Sequence, residues 1–216
     1  MGIDRGFVIE GKAHGHENVD HGYGLVRVNA NKSKLWMEEA MKNQMKNAVR
    51  RSFARLLRED GTLFECPIEK DSPYDARKLH EVCVNHRLAN HLQDEVLPLL
   101  GREEKMFVDI EFNREGGSYK NVGIYGKDRI VRPDIIIHNR ISGPQKNNFL
   151  VVECKKREGT SPAEIDEDRL KISALMEDQR YEYSFGLQVI YEKKRIKGVL
   201  FFRANTGIDQ EEIDDS

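Results

Sequence analysis

Cysteine is scarce in this sequence and poorly placed for cross-linking. Cys66, Cys83 and Cys154 are odd in number, widely spaced and without a CxxC pair, which argues against a disulfide framework and suits a reducing compartment. Long hydrophobic runs are missing as well: no apolar stretch approaches the ~20 residues needed to span a bilayer. The first residues lack the basic-then-apolar pattern of a secretory signal. A cytoplasmic protein without a membrane partner is therefore expected. Charge of one sign is also lacking. With a formal net charge of −2, any contact with a polyanion has to come from local patches, because there is no global positive field.

What is present is a hydrophilic but foldable composition. Apolar residues make up 38% and charged residues 33% of 216 positions, and the apolar ones gather in short dense runs such as IVRPDIIIH and FLVVECKK. That is a globular pattern with room for one ordinary domain and a small extra segment. Residues 1–70 read as an N-terminal extension carrying one basic amphipathic helix, 71–207 as the main domain, and 208–216 (IDQEEIDDS) as a solvated acidic tail with five acids and no base.

Within the extension, Gly24–Val28 reads as a short strand. Leu35–Arg58 reads as a helix, since Met37, Met41, Met45, Ala48, Ser52 and Leu56 recur at steps of three or four. A second helix is predicted from about Tyr74 to Leu97, with Val84, Leu88, Leu92 and Val96 on its apolar arc. Met106–Phe112, Ile130–His138 and Phe149–Lys155 read as strands, and 113–129 as loop or hairpin. Ser161-Pro162-Ala163-Glu164 announces a third helix: an N-cap Ser, Pro at the first helical position and Glu at the third. Phe185–Tyr191 and Gly198–Phe202 are two final strands. The expected fold is α/β, more strictly α+β, a mixed central sheet flanked by helices in the order α-β-β-β-α-β-β, preceded by the helical extension.

The chemistry sits in two consecutive strands. Asp134 and Glu153 are carboxylates within aliphatic runs, costly to bury unless a cation or hydrogen-bond donors compensate. Acids on adjacent strands can converge on one Mg²⁺, which accepts a few carboxylates and keeps positions open for water and phosphate oxygens. Lys155, two residues after Glu153, points to the same face of its strand. Glu81 falls in the middle of the second helix's apolar arc and needs a partner; Glu95 lies near the same arc and competes with it.

Pro133-Asp134 followed by Glu153-Cys154-Lys155 resembles the motif of the PD-(D/E)xK phosphodiesterase superfamily, and residues 75–191 are similar to uncharacterised prokaryotic members of it. That resemblance implies a restriction endonuclease-like core and an Mg²⁺-dependent nuclease, with Mn²⁺ able to substitute and DNA the expected substrate. It implies that Asp134, Glu153 and the backbone carbonyl of Cys154 bind the metal, that Lys155 orients the water or offsets charge, and that Glu81 completes or supports the site. The other class is a nucleic-acid-binding or assembly module that keeps the fold without turnover.

Several basic residues are candidate nucleic-acid contacts. Arg114, Lys120, Lys127 and Arg129 lie in the segment feeding the Asp134 strand, interleaved with Tyr119 and Tyr125 that could stack on bases. Lys42, Lys46 and Arg50 form a ridge on the first helix, which reads equally well as a solvated face. The methionine stripe of that helix docks either on the core or on a second subunit, so a homodimer through it stays open. Gln188 is a polar residue in a late strand, suited either to phosphate near the metal or to a solvated face. His14, His16 and His21 lack the cysteines and spacing of a zinc site, and His86 and His91 fall off the apolar arc, toward solvent.

Overall fold

The computed structural model describes residues 30–64, 76–101, 105–115, 117–192, 195–204 and 207–214. The strand read at Gly24–Val28, the histidines at 14, 16 and 21, and Cys66 lie outside the described residues. Among the described residues, three α-helices and ten strands form the fold: α1 (Ala30–Asp60), α2 (Ala76–Val96), β1 (Phe107–Ile110), β2 (Arg114–Glu115), β3 (Ser118–Tyr119), β4 (Asn121–Ile124), β5 (Lys127–Ile130), β6 (Ile135–His138), β7 (Asn148–Lys156), α3 (Pro162–Glu177), β8 (Phe185–Glu192), β9 (Arg195–Ala204) and β10 (Gly207–Asp214). The central sheet runs β1-β6-β7-β8-β9-β10. Its one parallel pair is β7 with β8, joined by α3; the other neighbours are antiparallel. The fold is α+β around a mixed sheet. Among the described residues, no helix is long and apolar enough to cross a membrane.

Helices cover both faces of the sheet, and strand alternation decides which residues meet which helix. Leu150, Val152 and Cys154 of β7 join Ile135, Ile137, Leu187 and Val189 in a core closed by α1 and α2. Val151, Ile136, Val199 and Phe201 face the other way, against Ile172, Leu175 and Met176 of α3. Glu153 and Lys155 continue this second row, so alternation alone aims them toward α3.

The methionine stripe of α1 is taken up inside the chain: Met45, Ala48, Ser52 and Leu56 are buried and Met41 is partly so. Asp60 at the end of α1 accepts from Arg87 (2.6 Å) and contacts His91 Nε2 (2.8 Å), locking α1 to α2. His91 is thus buried and not solvent-facing, because its ring nitrogen has a carboxylate on the neighbouring helix.

The segment 113–129, read as loop or hairpin, is hairpin: it forms two small ones, β2-β3 and β4-β5. One further segment departs from the sequence reading. The acidic segment 208–214 is strand β10, not a solvated tail: it pairs with β9 along its length, buries Ile213 and contacts Lys46 and Arg195 through Glu211 and Asp214. An edge strand tolerates such charge because its outer side faces water, where acids also discourage further strand addition.

Candidate functional site

Pro133 ends the approach to β6 and leaves Asp134 just before the strand. The register that sets Ile135 opposite Val152 places Asp134 opposite Glu153. Asp134 Oδ2 accepts from the backbone N–H of Cys154 at 2.7 Å, while the Asp134 carbonyl accepts from Glu111 N at 2.9 Å. The carboxyl is therefore clamped against β7 with one oxygen uncommitted to that bond. Glu153 is buried, and its Oε1 makes no hydrogen bond among the described residues. A buried, unpaired carboxylate oxygen is expensive and calls for a proton or a cation.

Helix α3 brings a third acid. Asp168 is 1% exposed; its Oδ1 accepts from Lys171 Nζ at 2.7 Å, and its Oδ2, without a hydrogen bond, stands 3.5 Å from Lys155 Nζ. Three observations explain how α3 sits this close. Ser161 and Glu164 form the expected capping box. Gln188, paired in register with Glu153, donates to Ile165 O (2.7 Å) and accepts from Arg169 Nε (2.9 Å). Gly186 lets α3 lie against β8, where any Cβ would overlap Ile172 Cγ2 and stand 2.9 Å from Met176 Sδ.

Burial pushes Asp134 up from 3.8 to about 6; the Cys154 N–H and the Lys155 charge pull it back, while Asp168 and Glu81 add to the rise. Burial, then Asp134, raises Glu153 well above its ordinary value, against the pull of Lys171. Burial works against the charge on Lys155 and Lys171, yet the surrounding acids outweigh it and leave both raised. Four carboxyls act here against two ammonium groups. The balance leaves buried negative charge with too little compensation.

Glu81 is half-buried on α2, and its charge is felt at Asp134, Lys155 and Tyr191. Glu95 pairs with Arg51 (2.6 Å) and Arg55 (3.6 Å) near the other end of the helix, so Glu81 is the helix acid beside the cluster. Cys154 takes part through its N–H, and its thiol is buried on the α1–α2 side.

Among the described residues, no three His, Cys, Asp or Glu side chains form a group that could hold a metal ion. The donors nevertheless suit a hard cation. Glu153 Oε1 and Asp168 Oδ2 are buried without hydrogen bonds, the set is all oxygen, and Mg²⁺ needs only one or two carboxylates when water and phosphate fill the rest.

The candidate nucleic-acid contacts are mostly engaged within the protein. Gln188 has both ends of its amide bonded to α3, which removes it from phosphate contact. Lys120 is buried, its Nζ donating to Arg114 O at 2.7 Å beneath the rings of Phe112 and Tyr181; it is an interior cation because two aromatic faces and a carbonyl receive it. Lys42 pairs with Glu39 (2.8 Å), Lys46 with Glu211, and Arg129 with Glu167. Arg50 lies half-buried on α1, Arg114 is exposed and stacks on Tyr119, and Lys127 is exposed.

Sequence reasoning missed Asp168 and Lys171. The signal was available: Asp168 falls between Ile165 and Ile172 at steps of three and four on the apolar stripe of α3, the criterion that singled out Glu81.

No family model matches the chain, and no curated protein matches it. One solved structure, described as "Crystal structure of SSO0001", aligns over 83% of this chain and 77% of that one, with 12% identity and a TM-score of 0.31. A likeness of that order carries no argument about fold or function.

Proposed function

We propose that the chain is a metal-dependent nuclease that hydrolyses phosphodiester bonds of DNA, built on a restriction endonuclease-like core. The observation that carries this reading is the opposition of Asp134 and Glu153 across β6 and β7, with Lys155 on the same face and undercompensated buried negative charge around them. The run α2-β1-β6-β7-α3-β8, three antiparallel strands followed by a helix and a parallel strand, supports the core assignment.

Asp134, Glu153 and the Cys154 carbonyl would hold Mg²⁺ or Mn²⁺, with Glu81 behind them. Such an ion, when bound, supplies an acidified water and counter-charge for phosphoryl oxygens. The Cys154 N–H fixes the orientation of Asp134. Lys155, held protonated by the acids around it, orients the attacking water or offsets charge developing on the phosphate. Asp168, neutralised in part by Lys171, positions the Lys155 ammonium.

Incubation of plasmid and single-stranded DNA with Mg²⁺ or Mn²⁺ tests the proposal. Wild type should cleave, and Glu153→Ala and Lys155→Ala should each lose about a hundredfold or more. Cleavage unchanged in both variants would sink the assignment. A second reading, a nucleic-acid-binding or assembly module without turnover, is favoured by the absence of a three-ligand metal group among the described residues. DNA binding without cleavage and without uptake of divalent metal would support it.

A further inference from the structure

At the end of the sheet away from Asp134 and Glu153 lies a pocket of about 150 Å³. His138 at the end of β6, the β6–β7 turn and the start of β7 form one side, and Phe112, Arg114 and Lys120 form the other. His138 is four residues from Asp134 and Asn148 is five from Glu153, so a strand rise of ~3.3 Å per residue separates the two places by roughly 13–17 Å.

The lining is basic. Arg114, Lys120, Arg140 and Lys146 meet His138 and Asn148 there, and among the described residues no carboxylate lines the cavity. Asp109 stands behind it, bonded to His138 Nε2 at 2.9 Å and to both Arg140 Nε (2.8 Å) and Nη2. Arg140 is held at φ 58°, a left-handed conformation that costs a non-glycine residue energy. The Asp109 clamp fixes the guanidinium of this residue, whose backbone is strained, in the wall of the cavity. The same field is felt at His138: burial first, then the charges of Lys120 and Arg140, hold its imidazole below its ordinary value, against the pull of Asp109.

We propose that this pocket is a binding site for a phosphate group. Lys120 Nζ donates to Arg114 O and Lys146 Nζ to the carbonyls of Gln179 and Arg180, so these two ammonium groups supply charge. The guanidinium groups of Arg114 and Arg140, the latter oriented by Asp109, supply planar N–H donors; a tetrahedral anion with several acceptor oxygens suits that combination. The apolar rim of Phe112 and Ile141 suits the sugar or base of a nucleotide attached to that phosphate. The site contains no member of the Asp134 cluster, so it stands whether or not the chain is a nuclease.

The test is calorimetric titration of the protein in EDTA with inorganic phosphate, then with an oligonucleotide carrying a 5′-phosphate and its 5′-hydroxyl twin. Ser142 is exposed and lines the cavity, so Ser142→Glu places a carboxylate in the pocket without removing a side-chain hydrogen bond to the described residues; Arg114→Ala removes one cation. Wild type should bind inorganic phosphate at one site, Arg114→Ala should bind about tenfold more weakly and Ser142→Glu not at all. Both variants should keep the wild-type melting temperature in phosphate-free buffer. Tighter binding of the phosphorylated oligonucleotide than of its twin identifies a polynucleotide end as the source of the phosphate; equal binding of the two, with inorganic phosphate retained, identifies a free phosphate or small phosphorylated ligand. No phosphate binding by wild type, or binding undiminished in both variants, would overturn the proposal.

Discussion

Asp134 shows how one side chain joins stability to function. Its folded-state pKa, pushed up to about 6 from 3.8, means that between these values the folded chain holds a proton that the unfolded chain has released. Stability therefore falls as pH rises from about 4 through about 6, and the full cost is present above that window. Asp134→Asn can still accept from the Cys154 N–H but carries no charge. In metal-free buffer at pH 7.5 it should be about 1–3 kcal/mol more stable than wild type by urea denaturation, while losing cleavage activity. A variant less stable than wild type would show that Asp134 is held by a partner strong enough to overcome its desolvation. The strand acids and their lysine stood out in the sequence because a charge inside an aliphatic run has to be offset by a proton, a cation or hydrogen-bond donors. Lys120 was not legible, since a lysine in a Gly- and Arg-rich segment gives no sign that Phe112 and Tyr181 will close over it.

Helix α3 is the element on which the site depends. Its start was legible because the capping box is local chemistry, whereas its distance from the sheet was not, since that is set by Gly186 on a strand nine residues past its end. Gly186→Val would push Ile172 and Met176 outward. The expected cost is about 1–3 kcal/mol in urea denaturation, with activity lost beyond what unfolding explains because Asp168 and Lys171 move off Lys155. Ser161→Ala, which removes only the cap, should cost about 1 kcal/mol and leave turnover per folded molecule unchanged. Equal effects of the two substitutions on turnover would show that α3 does not position the site. Strand β10 escaped the sequence reading for a different reason: its four acids hide the placement of Ile213, and pairing with β9 is a tertiary fact. Helix α1 was read correctly as amphipathic, but periodicity could not say whether its stripe met its own core or a second chain.

On the scale of the whole molecule, the sheet separates opposite charges. Buried acids gather where β6 begins and β7 ends, and a cationic cavity lies at the other end of the same strands, so a chain with net charge −2 still presents a strongly positive place. The central claim is that Asp134 and Glu153 hold a divalent cation. Calorimetric titration with Mn²⁺ at pH 8 and pH 5 tests it most directly, in wild type and in Asp134→Asn/Glu153→Gln. Metal must displace protons from carboxyls whose pKa values are raised, so wild type should bind at pH 8 and bind at least about tenfold more weakly at pH 5. The double variant should not bind at that site at either pH. Equal Mn²⁺ binding by wild type and the double variant, or none by wild type at pH 8, would contradict the account.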